Sequence, residues 1–250
     1  MNEKLNFAIR CFGSLKIFNK FSVYLFFHSE IMLKIYYTRI SDTAGWNDDD
    51  FFRYISPRNR ELIAACQNAS VKREKMVGEG MLRLLLQRWG GRPAESWSVV
   101  RGEHGKPYLV DAPEPLFFNL SHSGDYVVCA LSDWEVGVDI QKIGGMKLEI
   151  ARRFFHPSET EALETVKGTE QIDLFYRYWA VKESFLKYKG KGLSGSLAGF
   201  CMETVDGETV IRQEGKKISV YLKECRIASG YCCFICAETA DLPEILPFSF

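Results

Sequence analysis

Two acidic residues of this 250-residue chain lie among apolar neighbours that favour burial. The first of them is Asp139. It lies in the segment Gly-Val-Asp-Ile-Gln at 137–141, which has the composition of a β-strand. Because side chains alternate along a strand, Asp139 and Gln141 share one face, and Val138 and Ile140 share the other. A carboxylate between β-branched neighbours is partly buried and needs a cation or hydrogen-bond donors. The pattern predicts either a cation ligand or an acid that caps the turn after the strand.

The second acid is Glu183, in a segment that predicts a helix with both apolar and charged side chains on one face. Trp179, Glu183 and Lys187 recur at i,i+4 spacing and therefore lie on the same side. Trp179 favours burial, so we expect this side to meet the core and Glu183 to line a cleft. A carboxylate and an ammonium group there suit a magnesium diphosphate, because Mg²⁺ prefers oxygen ligands and lysine gives phosphate a point charge. The alternative is a surface ion pair that stabilises the helix by only about 0.2–0.5 kcal/mol.

Two shorter motifs contain polar groups that suit a phosphate. Residues 119–123 read Asn-Leu-Ser-His-Ser, a hydroxyl-rich strand end whose side chains and backbone N–H groups can hold an anion. The competing interpretations are a polar hairpin tip and a Ser–His–Asp hydrolase, and the absence of a Gly-x-Ser-x-Gly elbow argues against the hydrolase. Gly105-Lys106-Pro107 is too short for a Walker phosphate loop and by itself indicates a turn.

The overall charge and the cysteines narrow the class of protein. The formal net charge is zero, so no global attraction to nucleic acid or to a membrane surface follows. The eight cysteines are scattered, mostly inside apolar runs, unlike the dense disulfide framework of a small secreted domain. Cys233-x-x-Cys236 has no second cysteine or histidine pair at the spacing of a zinc site. We therefore expect a cytoplasmic protein with reduced cysteines and without nucleic-acid or membrane partners.

The N-terminal segment differs from the rest of the chain. Residues 17–27 are aromatic and apolar, but Lys20 interrupts a run that is already shorter than the roughly 18 residues of a membrane span. No small-residue cleavage site follows, which argues against a signal peptide. Met32 begins an alternating, strand-like segment. We expect the folded protein to begin near Met32, and residues 1–31 to be an extension or a mis-assigned start.

The elements that must position these residues are long helices and short strands, and turn signals separate them. A serine followed by proline at 56–57 predicts a helix start, Ser158-x-x-Glu161 has the pattern of a capping box, and Asp206-Gly207 between alternating runs predicts a hairpin. The predicted helices cover 56–67, 71–89, 146–155 and 172–189, and the predicted strands cover 96–101, 108–110, 117–120, 126–132, 136–141, 200–205, 208–212, 218–227 and 231–238.

This order of elements predicts an α+β fold. We expect two similar, pseudo-symmetric halves, each with a long helix packed on a small, mostly antiparallel sheet. The pattern changes near residues 133–136, so 32–134 form the first half and 135–250 the second. No sequence repeat relates the two halves.

Taken together and in order, these motifs resemble those of the Sfp-type 4′-phosphopantetheinyl transferases. That family shows a Gly-Lys-Pro turn, an Asn-x-Ser-His-Ser strand end, a Gly-[Val/Ile]-Asp-[Ile/Val]-Glu strand, a Phe-x-x-x-Glu stretch and a Trp-x-x-Lys-Glu-[Ser/Ala]-x-x-Lys-x-x-Gly-x-Gly-Leu helix. This chain matches them at 105–107, 119–123, 137–141, 155–159 and 179–193. The resemblance implies Mg²⁺-dependent transfer of 4′-phosphopantetheine from coenzyme A to a serine of an apo acyl or peptidyl carrier protein, with release of 3′,5′-ADP.

The resemblance also implies roles for individual residues. Asp139, Gln141 and Glu183 would bind Mg²⁺ or Mn²⁺, and Glu183 would also activate the carrier serine. Lys187 would hold the pyrophosphate and stabilise the leaving group. Other contacts to coenzyme A would come from Ser121 and His122 at the 3′-phosphate, from Gly105, Lys106 and Pro107 around the adenine, and from the first-half candidates Arg58, Arg60 and Arg73. The first half would bind coenzyme A, the second would hold the metal and face the carrier, and the chain would act as a monomer.

One position departs from the family pattern. The family usually has a second acid where this chain has Gln141. The amide can still orient a metal-bound water through its carbonyl oxygen, so we expect activity to survive with an altered metal preference. The alternative is a non-catalytic module that binds coenzyme A or a carrier protein, with Gln141 as a sign of decay.

Overall fold

The computed structural model describes residues 32–112, 115–146, 148–191 and 195–250. The predicted extension at 1–31 lies outside the described residues, as do residues 192 and 193 at the end of the last motif. Two long helices lie on two separate small sheets, which confirms the predicted α+β class.

The first sheet has four strands in the order β12-β1-β5-β4. These are β1 (Leu33–Arg39), β4 (Phe117–Ser123), β5 (Tyr126–Ser132) and β12 (Glu244–Pro247). β1 and β4 both run antiparallel to β5, whereas β12 runs parallel to β1. β12 belongs to the second sequence half but forms the edge of the first-half sheet, and the sequence pattern does not predict it as a strand.

The second sheet is antiparallel and has the order β10-β11-β6. Its strands are β6 (Val136–Lys142), β10 (Tyr221–Glu224) and β11 (Tyr231–Ala237). The smaller sheets are formed by β2 (Val99–Arg101) with β3 (Pro107–Leu109), and by β7 (Cys201–Val205), β8 (Glu208–Gln213) and β9 (Lys216–Lys217). Asp206 and Gly207 have φ angles of 51° and 80°, so the predicted Asp-Gly hairpin turn is confirmed.

The described residues contain six α-helices. They are α1 (Asp48–Phe52), α2 (Pro57–Ala64), α3 (Ala69–Gly90), α4 (Leu148–Phe154), α5 (Pro157–Thr165) and α6 (Gly168–Tyr188). The two long helices are the ones that cover sheets: α3 packs on β4 and β5, and α6 packs on β6 and β11. None of these helices is both long enough and apolar enough to cross a bilayer.

The capping box predicted at Ser158 and Glu161 is wrong by two residues. His156 caps α5: its Nδ1 accepts a hydrogen bond from the Ser158 amide at 3.3 Å, and Glu159 accepts one from the His156 amide at 3.0 Å. Pro157 occupies the first helical position, where a missing N–H group costs nothing, so the cap must be the residue before it.

Side chains of β4 join the two sheets. The side-chain oxygen Oδ1 of Asn119 accepts a hydrogen bond from the Val138 amide at 2.9 Å, and Ser121 Oγ accepts one from the Ile140 amide at 3.2 Å. Ser123 continues the series by accepting from the Lys142 amide at 2.9 Å. Residues 121–123 are therefore strand rather than hairpin tip, and their regular spacing places β4 and β6 side by side in the same direction.

Gly137 lets β6 lie directly against α6. A Cβ atom at this position would overlap the Ser184 carbonyl oxygen and the Tyr188 backbone nitrogen. Overpacking of this kind costs about 1–3 kcal/mol in a well-packed interior. The close approach places the middle of β6, including Asp139, within reach of side chains from the last turns of α6.

Candidate functional site

Asp139 is at the centre of a cluster between β4, β6 and α6. The residue is only 2% exposed, so its carboxylate depends on neighbouring donors. Lys187 Nζ is 2.6 Å from Oδ1, and Ser121 Oγ donates to the same oxygen at 3.0 Å. Gln141 Nε2 donates to Oδ2 at 2.8 Å. The acid is therefore paired with a cation and hydrogen-bonded on both oxygens.

Lys187 reaches this cluster from α6 and bonds to more than the acid. Its ammonium group donates to Ser121 Oγ at 2.9 Å and to the Val138 carbonyl oxygen at 3.1 Å. The Lys187 side chain is still 26% exposed, so the cation can also face a ligand that approaches from solvent. The strands β4 and β6 and the helix α6 therefore meet at the Lys187 ammonium group.

Glu183 lies one helical turn before Lys187 and is half-buried. Burial raises the pKa of its carboxyl group, the charge of Asp139 raises it further, and Lys187 lowers it. The effect of Asp139 shows that the two carboxylates are near enough to repel each other. A cation bound between them would relieve that repulsion.

Replacing Glu183 by glutamine is expected to stabilise the folded protein at neutral pH. Because the pKa is raised in the folded state, ionised Glu183 destabilises the fold at any pH above that value, and the neutral amide removes the penalty. The gain in free energy of unfolding over wild type should shrink as the pH falls through the raised folded-state pKa of Glu183, and should be lost below the ordinary carboxyl pKa of 4.5. Urea unfolding of both proteins across the acidic and neutral range checks this, and a gain that does not vary with pH would contradict it.

The donor set suits a small divalent cation. Mg²⁺ takes one or two protein carboxylates and keeps several waters, so Asp139 and Glu183 are enough, with the Gln141 carbonyl oxygen as a neutral third donor. The Gln141 amide now donates to Asp139, and rotation about its last side-chain bond would present the carbonyl oxygen instead. In the described part of the chain, no three histidine, cysteine or acidic side chains cluster as a metal site, consistent with glutamine at the third position.

The structure separates the roles of Ser121 and His122. Ser121 is 5% exposed, and its hydroxyl already bonds to Asp139, Ile140 and Lys187. The His122 side chain is 42% exposed, with Nδ1 3.0 Å from a carboxylate oxygen of Glu74 on α3. Burial lowers the pKa of His122, and Glu74 opposes that shift. The predicted contact of these two residues with a 3′-phosphate stays a prediction, and His122 is the more accessible of the pair.

Lys106 and Pro107 of the Gly-Lys-Pro turn border a cavity whose lining does not include Asp139, Glu183 or Lys187. Lys106 Nζ bonds to Glu135 at 2.5 Å and to the carbonyl oxygens of Val136 and Tyr188 at 3.2 and 3.0 Å, so it ties the start of β6 to the end of α6. The cavity has a volume of about 560 Å³. Its lining includes Lys106, Pro107, Tyr108, Phe118, Glu135 and Gly190.

The basic candidates of the first half differ in their contacts. Arg73 donates to the Trp46 carbonyl oxygen at 2.8 Å and to both oxygens of Thr43, so its guanidinium group is used inside the protein. Arg60 donates to the Ile55 carbonyl oxygen at 2.6 Å, whereas Arg58 is exposed at the start of α2. Their predicted binding of coenzyme A stays a prediction.

Sequence reasoning missed a buried ion pair next to the cluster. Lys182 and Glu159 are 0% and 1% exposed, and their charged groups are 2.8 Å apart. Lys182 also donates to the carbonyl oxygens of Leu197 and Phe200, at 2.7 and 2.6 Å. Glu159 accepts from the Met202 amide at 2.8 Å. The pair therefore fixes the residues before β7 against the helix turn that carries Glu183.

The family models and the related proteins that match this chain all belong to one family. Residues 135–236 match the model of the 4′-phosphopantetheinyl transferase superfamily, and residues 47–133 match that of the 4′-phosphopantetheinyl transferase N-terminal region. The 4′-phosphopantetheinyl transferase Sfp of Bacillus subtilis is 34% identical over 198 residues, which cover 79% of this chain and 88% of that protein. The transferase gsp of Aneurinibacillus migulanus is 32% identical over 76% of this chain and 79% of that protein.

A more distant relative extends the similarity to a human enzyme. The L-aminoadipate-semialdehyde dehydrogenase-phosphopantetheinyl transferase of Homo sapiens is 36% identical over 158 residues, which cover 58% of this chain and 51% of that protein. The matched region of the superfamily model contains both Asp139 and Glu183. On the strength of these matches and the cluster around Asp139, the chain belongs to the 4′-phosphopantetheinyl transferase family.

Proposed function

We propose that this protein transfers the 4′-phosphopantetheine group of coenzyme A to a serine of an apo acyl or peptidyl carrier protein, in a Mg²⁺-dependent reaction that releases 3′,5′-ADP. The observation that carries the proposal is the cluster of Asp139, Glu183 and Lys187 between two sheets. Two acids and an accessible ammonium group are the charges that a diphosphate ester with one metal ion requires.

The proposed chemistry is a displacement at the β-phosphorus of coenzyme A. The carrier serine oxygen forms a bond to that phosphorus, the bond to the bridging diphosphate oxygen breaks, and 3′,5′-ADP leaves with the bond electrons. Bound Mg²⁺ would neutralise the diphosphate. The metal ligands would be Asp139, Glu183 and Gln141.

The chain's own side chains have separate tasks in this scheme. Glu183 accepts the serine proton on a carboxylate oxygen. Lys187 turns from Asp139 toward the diphosphate and stabilises the charge on the leaving oxygen. His122 contacts the 3′-phosphate, and Gly105, Lys106 and Pro107 flank the adenine at the cavity.

Incubation with coenzyme A, Mg²⁺ and a panel of apo carrier proteins tests the proposal. A carrier that gains the mass of one phosphopantetheine on its serine supports transfer and identifies the pathway. Binding of coenzyme A without any gain in carrier mass would instead support the non-catalytic module. A carrier whose serine is replaced by alanine is the control.

We also propose that the protein works as a cytoplasmic monomer. The seven cysteines in the described residues are all free thiols, as expected for a reducing compartment. Burial raises the pKa of several of them, including Cys129 and Cys236, so these thiols resist oxidation. The proposed catalytic side chains all come from one chain, so transfer does not require a second copy.

Replacing Gln141 by glutamate is expected to lower the Mg²⁺ concentration needed for half-maximal activity. The amide now donates to Asp139, whereas a third carboxylate cannot donate and adds negative charge to the site. Parallel Mg²⁺ and Mn²⁺ titrations of wild type and variant check this. Identical titration curves would place residue 141 outside the coordination sphere.

A further inference from the structure

The accessible histidine of the site is held by the long helix of the first half. Glu74 Oε2 lies 3.0 Å from His122 Nδ1, and the Glu74 side chain is only 17% exposed. Ser70 donates to the other carboxylate oxygen at 3.3 Å, so the carboxylate is held on both sides. His122 Nε2, on the opposite edge of the ring, has no hydrogen-bond partner in the part of the chain that the structure describes.

A carboxylate on one ring nitrogen determines what the other nitrogen presents. At 3.0 Å from Nδ1, the Glu74 carboxylate favours the imidazolium form, in which both ring nitrogens carry a proton. The charged groups that face the ring are Glu74 and Lys75 from α3, Lys187 from α6 and Asp139 from β6. With the ring between them, a phosphate on Nε2 does not touch Glu74.

We propose that Glu74 is a positioning residue through which this enzyme recognises the 3′-phosphate of coenzyme A. The inference rests on the proposed function, in which His122 contacts that phosphate. Glu74 and a bound phosphate monoester both favour the imidazolium form of His122, in which Nδ1 faces Glu74 and the Nε2–H group donates to the phosphate. Lys75, the next residue of α3, is near enough for its positive charge to act on the ring. The substrate class that follows is a 3′-phosphorylated nucleotide rather than its dephosphorylated form.

The test isolates the 3′-phosphate by a ratio: kcat/KM for coenzyme A divided by kcat/KM for dephospho-coenzyme A. Glu74→Gln keeps a hydrogen-bond acceptor for Nδ1 but removes the charge, whereas Glu74→Leu removes both. We expect Glu74→Leu to lower the ratio by about tenfold, as when the orienting partner of a functional histidine is lost. Glu74→Gln should lower it by a smaller factor. Both variants should leave kcat/KM for dephospho-coenzyme A unchanged.

Two further variants sharpen the result. In a His122→Ala background, Glu74→Leu should cause no additional loss of the ratio, because the residue acts only through the ring. Glu61→Leu, at an exposed acid of α2, is the matched control and should leave the ratio unchanged. Thermal unfolding of each variant verifies folding, and Glu74→Gln carries the test if the leucine variant does not fold.

The outcomes that overturn the inference are distinct from a failure of the proposed function. An unchanged ratio in the folded Glu74 variants would mean that Glu74 does not act on the 3′-phosphate. A ratio that rises would mean that the carboxylate repels the phosphate. Absence of carrier modification from either nucleotide would instead reject the proposed function itself.

Discussion

Replacement of Asp139 by asparagine is expected to lower kcat/KM for carrier modification by a factor on the order of 10³, the size of effect seen when one preorganised charge-stabilising group is lost. Asparagine preserves the volume of the side chain, and its single oxygen can still accept from either Ser121 or Gln141. It removes the negative charge that attracts the cation and that pairs with Lys187 at 2.6 Å. The loss therefore acts on transition-state charge rather than on packing.

The fold should tolerate this change, which makes the activity loss interpretable. Lys187 is partly exposed and can turn toward water once its partner is neutral, so no uncompensated buried charge remains. Kinetics by mass spectrometry of the carrier, together with urea unfolding, separate the two effects. Activity within tenfold of wild type in the folded variant would show that Asp139 is not a metal ligand.

A matched control lies at the turn between β4 and β5. Asp125 also accepts hydrogen bonds, from the amide and hydroxyl of Ser41, and lies 3.4 Å from Arg39. These contacts hold the pKa of its carboxyl group below the usual value. Asp125→Asn should alter stability slightly and leave the rate of transfer unchanged, because this acid is outside the cluster around Asp139.

Replacement of Lys182 by methionine is expected to lower the free energy of unfolding by about 3–5 kcal/mol. The change leaves the fully buried Glu159 without its cation and removes the donor to the Leu197 and Phe200 carbonyl oxygens. Burial lowers the pKa of Lys182, and Glu159 opposes that shift, so the carboxylate helps to keep the ammonium group charged. Equilibrium urea unfolding measures the loss.

The double variant Lys182→Met with Glu159→Leu should be more stable than Lys182→Met alone. Removing both charges avoids the desolvation penalty of the orphaned carboxylate, although the Met202 and His156 amides then lose an acceptor. A double variant that is less stable than the single one would contradict the assigned cause.

Arg152 and Glu164 form a comparable ion pair on the surface. Their side chains are 56% and 44% exposed, and Arg152→Met should cost less than about 1 kcal/mol. Equal losses for Arg152→Met and Lys182→Met would show that burial does not determine the effect.

Local chemistry made much of the fold predictable from sequence. Proline restricts its own φ angle and lacks an N–H group, so the helix start predicted at Pro57 is found, whereas the start at Pro157 was missed in favour of a cap at Ser158. Asp-Gly adopts positive φ angles at little cost, so the hairpin at Asp206 was also predictable. The strand β12 was not, because its short segment becomes a strand only through pairing with β1, some 200 residues earlier.

The same division applies to the site. Sequence alone identified Asp139, Glu183 and Lys187, because each combines a charged group with neighbours that favour burial. It did not distinguish the tasks of Lys182 and Lys187, which lie in one motif. Five helical residues turn by about 140° beyond a full revolution, so the two ammonium groups point to different sides of α6. Only packing decides that one side meets Glu159 and the other meets Asp139.

Residues 119–123 show most clearly which contacts could not be predicted from the sequence. Their composition indicated a polar strand end that suits an anion, and the resemblance implied that Ser121 and His122 contact the same phosphate. The tertiary structure places Ser121 toward β6, where its hydroxyl bonds to Asp139, Ile140 and Lys187. It places His122 next to Glu74 of α3. The sequence by itself identifies the charged and polar residues that suit a phosphate and a metal ion. Which of them contact each other depends on contacts between segments tens of residues apart, and those exist only once the two sheets and the two long helices have packed.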